Sequence, residues 1–316
     1  MQSRRVVMTG ATGFIGSRLV RELARRGYEV VVFSRNPTRA RGEVSGAADY
    51  VAWEPTERGA WVSAVEGAYA VVNLAGASVG GKRWNDRYKR EIANSRTVGT
   101  RGLVNAMTVA KARPSVLLSM SVIGYYGHRD ATPLDESAPP GDDFLARVGV
   151  AWEQEARKAE ALGVRVFLPR TGIVLGAAGG ALSLMALPAR LFIGGPILPG
   201  SQYVSWIHLA DEIAILAQGL EDARFAGPIN ATAPNPVTNR EFNAALGRAL
   251  GRPSWAPVPG VAVKAVVGEF AESVITGQRV IPRRLLELGY AFKFPTLDAA
   301  LGDIYGPWRD PSGVAP

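Results

Sequence analysis

Three glycines near the N-terminus connect an apolar run to a helical pattern, and their spacing limits the fold more than any other feature. The run is residues 5–8, and the glycines are Gly10, Gly13 and Gly16. In a strand–turn–helix unit the first glycine permits a tight turn, the second lets the backbone approach a ligand, and the third lets the helix pack closely on its strand. The amide groups of the helix N-terminus then face a pyrophosphate. We therefore predict a dinucleotide site formed by Gly10, Thr12, Gly13, Phe14, Ile15 and Gly16.

Strand and helix patterns alternate along much of the chain. Uninterrupted β-branched runs predict strands that are covered on both faces, and apolar residues spaced by three to four predict helices between them. The predicted strands are 5–8, 29–33, 70–74, 115–120, 164–168 and 228–231. The predicted helices are 15–26, 88–109, 152–162, 208–220 and 238–250. This alternation implies parallel pairing with right-handed crossovers, so we predict an α/β fold with a Rossmann-type doubly wound parallel sheet.

Glycine and proline interrupt this pattern after residue 176. The turns Gly194-Gly195-Pro196 and Pro199-Gly200 predict loops and short helices. The tail from 254 to 305 is predicted to be rich in short helices. We therefore predict two interleaved parts. A dinucleotide-binding domain spans 1–176, with 206–232 returning to it, and a smaller, mostly α C-terminal lobe spans 177–205 and 233–316.

The composition excludes several kinds of site. The chain has no Cys and 2 His, which rules out disulfides, zinc–thiolate centres and all-His metal centres, and we predict no metal. The net charge is +8, but the basic residues form scattered short pairs rather than a long run with interleaved aromatics, so we predict no nucleic-acid partner. We predict a small-molecule substrate, and an anionic one would fit this charge.

The most apolar segment, 181–198, is a poor membrane span because it contains Pro188, Arg190 and several glycines. We therefore predict no membrane partner. The absence of Cys is compatible with a reducing compartment, and we predict a cytoplasmic protein. The oligomeric state stays open.

The end of the second predicted strand bears on cofactor choice. A site that prefers NAD usually has Asp or Glu there for the ribose 2′-hydroxyl. Here Ser34 and Arg35 stand at that place. A hydroxyl and a planar guanidinium suit a 2′-phosphate, so we predict NADP(H) in preference to NAD(H). The alternative is that Arg35 is a surface residue after a strand.

The chain resembles the extended short-chain dehydrogenase/reductase superfamily. The segment Thr9-Gly10-Ala11-Thr12-Gly13-Phe14-Ile15-Gly16 is like its typical opening. Residues 73–76 are similar to a segment near the adenosine half of the cofactor, residues 170–176 to the segment after the sixth strand, and residues 206–211 to a helix entry. The resemblance adds Leu74, Ala75, Gly76 and Arg170 to the cofactor site.

More narrowly, the chain resembles an atypical epimerase-like subfamily that ends in a small helical C-terminal domain of unassigned function. The matching features are Lys82-Arg83-Trp84, Asn94-Ser95-Arg96, Gly124-Tyr125-Tyr126-Gly127, Phe144-Leu145-Ala146 with Trp152-Glu153, Gly195-Pro196 and the tail 277–285. The resemblance covers about residues 5–305, and it implies no particular substrate.

The superfamily resemblance implies a proton-transfer Tyr and a Lys in the pattern Tyr-x-x-x-Lys. Counting back from Glu153 and Arg170 places these positions at Leu145 and Gly149, neither of which transfers protons. A helix position that usually carries Asn is Arg96. Three parts of the usual proton machinery are therefore altered together.

Other residues are candidates for acid chemistry. Ser119 and Ser121 follow a strand that is expected to border the nicotinamide, and Tyr125 and Tyr126 come shortly after. We predict that Ser119 contacts the cofactor. One hypothesis is that Ser121 with Tyr125 or Tyr126 orients and protonates a substrate oxygen, while Arg96 stabilises negative charge. The alternative is that the tyrosines pack under a loop and Arg96 pairs with a carboxylate.

Three functions follow from these observations. The first is an NADP(H)-dependent oxidoreductase that acts on a small carbonyl or hydroxyl compound. The second is a sugar-nucleotide epimerase or dehydratase that retains its cofactor, against which the absent Tyr-x-x-x-Lys counts. The third is a non-catalytic, nucleotide-sensing regulator, which the altered proton machinery favours.

Overall fold

The apolar run before the glycine turn forms the central strand of a parallel sheet. The computed structural model describes residues 4–56, 59–177 and 179–306. The first elements in chain order are β1 (Arg5–Thr9), α1 (Gly16–Arg25), β2 (Glu29–Ser34), α2 (Pro37–Glu43), β3 (Asp49–Ala52), α3 (Ala60–Val65), β4 (Ala70–Asn73), α4 (Asp86–Val109), β5 (Val116–Ser119), β6 (Ser121–Val122), β7 (Pro133–Leu134) and α5 (Phe144–Arg157). A single 3-10 turn, Ile123–Tyr126, follows β6.

The second half contains the remaining elements. They are β8 (Arg165–Thr171), β9 (Ile173–Leu175), α6 (Gly180–Arg190), β10 (Tyr203–Val204), β11 (Trp206–His208), α7 (Leu209–Glu221), β12 (Gly227–Ala231), β13 (Val237–Thr238), α8 (Asn239–Leu250), α9 (Gly260–Val267), α10 (Glu272–Ile275), β14 (Arg279–Val280), α11 (Arg283–Glu287) and α12 (Leu297–Tyr305). No helix in the described part of the chain has the length and hydropathy needed to cross a membrane.

The strand order places a ligand crevice beside β1. The main sheet has the order β12-β8-β5-β4-β1-β2-β3, and β6 pairs with β8. The pairs of β1 with β2 and with β4 are both parallel. The chain winds outward from β1 in one direction through β2 and β3, and in the other from β4 through β5. Ligands of doubly wound sheets bind at this reversal, outside the carboxyl ends of the strands. The predicted α/β doubly wound fold is confirmed.

Packing divides the chain into two compact units. The first unit comprises Met1–Tyr125, Pro140–Arg170 and Glu212–Ile229, and the second comprises Tyr126–Pro139, Thr171–Asp211 and Asn230–Pro316. The predicted domain ranges stay a prediction, because packing units need not coincide with independently folding domains. Those ranges include residues 1–3, 57–58, 178 and 307–316, which lie outside the described residues.

Each unit has its own apolar core. In the first unit, side chains from the sheet and from α3 and α4 pack together, among them Phe33, Trp61 and Leu103. In the second unit, α8 and α12 pack together through residues such as Phe242 and Leu301. Thr238 caps α8 through a capping box with Glu241.

Helix α5 begins eight residues earlier than the pattern predicts, at Phe144 instead of residue 152. The Asp143 side chain accepts a hydrogen bond from the Ala146 amide and so caps the helix. The short elements α2, β3 and α3 were not predicted, because they span few residues and show little periodicity.

A glycine in α7 tests the packing of this helix on β8. A Cβ at Gly219 would lie 2.2 Å from Cε1 of the buried Phe167 ring. Gly219→Ala should therefore lower the free energy of unfolding by about 1–3 kcal/mol through overpacking. A Cβ at Gly302, in α12, would meet no atom within 4 Å, so Gly302→Ala should raise the free energy by roughly 0.5–1 kcal/mol. Urea unfolding of both variants checks this, and equal effects would contradict it.

Candidate functional site

The glycine turn lies against the end of β4. Gly10 has φ +71°, and a Cβ there would lie 2.6 Å from the Leu74 carbonyl carbon and 2.8 Å from the Ala75 amide nitrogen. At Gly16 a Cβ would lie 2.2 Å from the Gly10 oxygen. These two glycines therefore allow the turn to close on β4 and on α1. A Cβ at Gly13 would meet a single atom within 4 Å, the Gly10 oxygen, so the other side of Gly13 is open.

The N-terminus of α1 is suited to an anion. This helix has no acidic residue in its first turn, and its N-cap residue, Ile15, makes no side-chain hydrogen bond to the backbone. The amides and the positive end of the helix dipole therefore lack an internal negative charge at this terminus. Arg18, one turn later, lies with its guanidinium carbon 5.4 Å from the centre of the Phe14 ring.

A cleft of about 720 Å³ opens beside this turn, entirely within the first unit. It is lined by eight of the predicted cofactor residues, namely Gly10, Thr12, Gly13, Ser34, Arg35, Leu74, Ala75 and Gly76. The other predicted cofactor residues, Phe14, Ile15, Gly16, Ser119 and Arg170, do not line it.

Further residues of the cleft were missed in the sequence. One face of α4 contributes Tyr88, Glu91, Ser95 and Val98. Their spacing of three to four is that of a single helix face, so this signal was available once the helix was known to border the site. The segment 53–56, after β3, also lines the cleft, but the shortness of β3 hid it. Lys82, a candidate anion contact, lines the cleft as well.

The Ser34 hydroxyl is engaged in a local turn, while Arg35 is exposed. The Ser34 Oγ accepts a hydrogen bond from the Asn36 amide at 3.1 Å and donates to the Asn36 carbonyl at 3.2 Å. Across residues 4–56, 59–177 and 179–306, no carboxylate forms an ion pair with Arg35. Glu54 and Glu91 also line the cleft, and Glu54 accepts a hydrogen bond from the Thr56 hydroxyl at 3.1 Å.

Ser119 belongs to a buried network centred on Asn73, at the end of β4. The Asn73 amide group donates to the Thr100 hydroxyl at 2.8 Å and to the Ser119 hydroxyl at 3.4 Å. Thr9 donates to the Asn73 side-chain oxygen at 2.8 Å, and Trp152 donates to Thr100 at 2.9 Å. The network joins the ends of β1, β4 and β5 to α4 and α5. Ser119 therefore contacts buried neighbours and does not line the cleft.

Ser121 and Arg170 share a buried carboxylate. The Ser121 hydroxyl donates to Glu153 Oε1 at 2.7 Å. Arg170 donates to Glu153 Oε1 at 2.8 Å and to Oε2 at 2.9 Å. The Arg170 guanidinium carbon also lies 3.5 Å from the centre of the Tyr125 ring. Glu153 thus orients both Ser121 and the cation that covers Tyr125, a role the sequence did not indicate.

The positions expected for the Tyr and Lys hold Leu145 and Gly149, which lie close to the 3-10 turn. A Cβ at Gly149 would lie 3.3 Å from the Tyr125 Cα. A Cβ at Gly124 would lie 3.4 Å from the Leu145 Cβ. Helix α5 therefore packs closely on the 3-10 turn, and a longer side chain at 149 would displace Tyr125.

The two tyrosines of this turn differ in burial. Tyr125 is half-buried. Tyr126 is fully buried, and its hydroxyl donates to the Asn230 side-chain oxygen at 2.6 Å. Asn230 in turn donates to the Ile281 carbonyl at 2.9 Å. These contacts favour a structural role for Tyr126.

Arg96 is a buried cation without an acidic partner in the described part of the chain. Its Nη1 donates to the Ala77 and Ile92 carbonyls at 3.1 and 3.0 Å. Its guanidinium carbon lies 5.1 Å from the centre of the Trp152 ring, and a Cβ at Gly76 would lie 3.1 Å from the same carbon. Burial lowers the pKa of Arg96 to about 10, despite the opposing effect of Tyr88. The sequence left open the alternative that Arg96 forms an ion pair with a carboxylate. In the described part of the chain Arg96 instead donates to two backbone carbonyls.

The described residues contain no group of three or more His, Asp or Glu side chains arranged to hold a metal.

Two family profiles match this chain. The NAD dependent epimerase/dehydratase family matches residues 6–224. A domain of unknown function, DUF1731, matches residues 258–304. Together they confirm the resemblance to epimerase-like proteins with a small C-terminal domain of unassigned function.

Individual relatives match along nearly the whole chain. The Arabidopsis thaliana protein named epimerase family protein SDR39U1 homolog, chloroplastic, is 43% identical over 298 residues, 94% of this chain and 85% of the relative. That location belongs to the plant relative, and the cytoplasmic location predicted here stays a prediction.

Two solved structures are also similar. The human epimerase family protein SDR39U1 with NADPH has 37% identity and a TM-score of 0.84, over 95% of this chain and 99% of that chain. A nucleoside-diphosphate sugar epimerase from Corynebacterium glutamicum has 31% identity and a TM-score of 0.77, over 96% of this chain and 58% of that chain.

The burial of Arg96 should lower the free energy of unfolding of the ligand-free protein. The lowering of the Arg96 pKa to about 10 corresponds to a charge penalty of about 3 kcal/mol. Arg96→Met keeps much of the apolar stem and removes this penalty, at the loss of two hydrogen bonds of about 1 kcal/mol each. We expect the ligand-free variant to be more stable at pH 7 by about 1 kcal/mol, measured by urea unfolding.

The control and the pH range follow from the same values. Arg101 is exposed and pairs with Glu155 at 2.7 Å, so Arg101→Met should lower stability by at most about 1 kcal/mol. Below pH 10 both the folded and the unfolded chain carry the Arg96 charge, so its penalty is fully present. The penalty declines only as the pH rises above about 10, where the folded chain loses the proton before the unfolded chain does. A variant at Arg96 less stable than that at Arg101 would contradict this account.

Proposed function

Because this chain belongs to the NAD dependent epimerase/dehydratase family, we propose that it is an NADP(H)-dependent oxidoreductase for a small carbonyl or hydroxyl substrate. The observation that carries this proposal is the cleft in the first unit. Its glycine turn lies at the reversal point of the sheet, and Arg35 stands at its edge without a carboxylate partner among the described residues.

The residues of the cleft fit a dinucleotide. The open side of Gly13 and the N-terminus of α1 suit the pyrophosphate. The Arg35 guanidinium suits a 2′-phosphate, and the Ser34 hydroxyl could donate to the same group only by leaving the Asn36 carbonyl. The human relative solved with NADPH supports the same cofactor for this chain. When bound, NADPH would supply a hydride.

Tyr125 is the proposed proton donor to the substrate oxygen. It is the half-buried tyrosine of its turn, whereas the Tyr126 hydroxyl is occupied by Asn230. The Arg170 guanidinium against the Tyr125 ring stabilises the negative charge that develops on the phenol oxygen as the proton leaves. Gly149 and Glu153 hold this arrangement in place from α5.

The remaining candidates take supporting roles. The Ser121 hydroxyl donates its hydrogen bond to Glu153, so it can accept a hydrogen bond from a substrate but not donate one. Arg96 supplies a fixed positive charge, and its lack of an acidic partner in the described chain leaves that charge uncompensated. Lys82 in the cleft supports an anionic substrate group.

A second candidate function is a non-catalytic sensor of the nucleotide. Leu145 and Gly149 stand where the family's Tyr and Lys are expected, and neither transfers protons. The Ser121 and Tyr126 hydroxyls already donate to Glu153 and Asn230. Both observations favour a sensor. A sugar-nucleotide epimerase has less support, although the Corynebacterium relative carries that name. Those reactions use a Tyr at the position that is Leu145 in this chain.

Cofactor preference is tested by Arg35→Gln. Loss of one charge-assisted contact worth about 1.5–3 kcal/mol should weaken NADPH binding roughly 10- to 100-fold and leave NADH binding unchanged. Fluorescence titration of both cofactors measures this. Arg39→Gln is the matched control, because Arg39 is already paired with Glu43 at 2.7 Å. Equal affinity of the unmodified protein for NADPH and NADH would contradict the preference.

Proton donation is tested by changing each tyrosine to Phe. Tyr125→Phe should lower transfer of deuterium from labelled NADPH to a panel of carbonyl compounds by about 100-fold or more, with cofactor affinity unchanged. Tyr126→Phe should instead lower the free energy of unfolding by about 1–2 kcal/mol, because it leaves Asn230 without its donor. No transfer by the unmodified protein, despite tight NADPH binding, would favour the sensor.

A further inference from the structure

Helix α9 in the second unit is apolar and has no buried side chain. Its sequence is GVAVKAVV. Val261 is 77% exposed and Val266 is 75% exposed. A helix that is apolar on all sides is normally buried in a core or a membrane. The exposure of this helix therefore requires a reason.

The apolar exposure continues onto neighbouring segments of the same unit. Trp255, 66% exposed, donates its indole N–H to the Phe192 carbonyl at 2.9 Å. The amides of Trp255 and Ala256 both donate to the Gly194 carbonyl, and the Leu198 amide donates to the Val258 carbonyl at 2.9 Å. These hydrogen bonds join the chain after α6 to the chain before α9.

We name the exposed side chains of these segments the apolar face. Its members are Leu184, Leu187, Leu191, Phe192, Ile193, Leu198, Trp255, Val261 and Val266. They are nine of the eleven large apolar side chains that are exposed among the described residues. Concentrations of this kind mark binding surfaces, whereas single exposed residues do not.

The charges of the apolar face have one sign. Its two segments, 177–210 and 251–268, contain Arg190, Arg252 and Lys264 and no Asp or Glu, and the exposed Glu269 and Glu272 lie just beyond the second segment. All three cations are exposed, and the Arg252 guanidinium carbon lies 4.4 Å from the centre of the Phe192 ring. The complement of this face is therefore both apolar and anionic.

We propose that the apolar face docks on a bilayer surface that contains anionic lipids. Valine, leucine and phenylalanine side chains would enter the region between headgroups and acyl chains, and the three cations would contact lipid phosphates. Tryptophan favours this boundary because its ring is apolar and its N–H is polar. A second copy of the chain fits less well, because two-fold pairing would bring the cations of both copies together.

Such docking needs no membrane-spanning helix. The sequence-based expectation of no membrane partner rested on the lack of a spanning segment, and peripheral binding by an exposed face does not require one. The proposal is also independent of the oxidoreductase function, since all of its residues lie outside the cofactor cleft.

The test is flotation of the full chain with lipid vesicles. Vesicles of phosphatidylcholine alone are compared with vesicles containing about a third phosphatidylglycerol, at low and at high salt. We expect binding to the anionic vesicles that weakens with salt. Val261→Gln with Val266→Gln should abolish it, and Leu286→Gln, at a site 51% exposed outside the face, should not. Replacing Arg190, Arg252 and Lys264 by Gln should weaken it about five-fold for each cation.

Two further measurements decide between outcomes. Brominated lipids should quench the fluorescence of the unmodified protein more than that of Trp255→Phe. NADPH titration of each variant checks that the first unit is intact. No binding to anionic vesicles at low salt would overturn the proposal. Concentration-dependent dimers that Val261→Gln with Val266→Gln removes, without vesicle binding, would also overturn it and identify an interface between copies.

Discussion

The close approach of the first turn to the end of β4 is the constraint on which the rest of the site depends. Gly10 lies so near the Leu74 and Ala75 backbone that any side chain would force the two strands apart. Gly16 makes a similar close approach on the side of the helix, because a Cβ there would lie 2.2 Å from the Gly10 oxygen. The cleft opens beside this junction, and the backbone of the glycine turn lines part of it, which suits an extended anionic ligand.

Two buried polar networks hold the site around that junction. The Asn73 network is neutral and satisfies its members with one another, so it joins strand ends at little electrostatic cost. The network of Glu153 and Arg170 is charged but paired by two hydrogen bonds, which makes it costly to break. The Tyr125 ring contacts Arg170 of this second network. Its position therefore depends on Glu153 of α5 and Arg170 of β8 as well as on its own short turn.

The fold and the close packing of the glycine turn were predictable for a local reason, and the contacts of the candidate catalytic residues were not. Glycine spacing and β-branched runs act within a few residues, so the turn at Gly10 and the alternation of strands and helices can be read directly. The pairing of Ser121 with Glu153, 32 residues apart, depends on how α5 packs on β6, which no local pattern encodes. The same holds for Tyr126 and Asn230, 104 residues apart. Short elements such as β3 escaped detection, and with them the cleft residues that follow.

The chain lacks the usual Tyr-x-x-x-Lys, but it has other buried cations in the same unit, Arg96 and Arg170. A Lys at position 149 would bring a cation beside the tyrosine, but this position is Gly149, where a Cβ would lie only 3.3 Å from the Tyr125 Cα. Arg170 lies at the Tyr125 ring and is paired with Glu153. Arg96, buried and with no acidic partner among the described residues, is the cation whose charge stays uncompensated. A buried charge of this kind lowers stability. Arg96 lies beside Gly76, which lines the cleft, so the proposed anionic ligand would offset part of this cost when it binds.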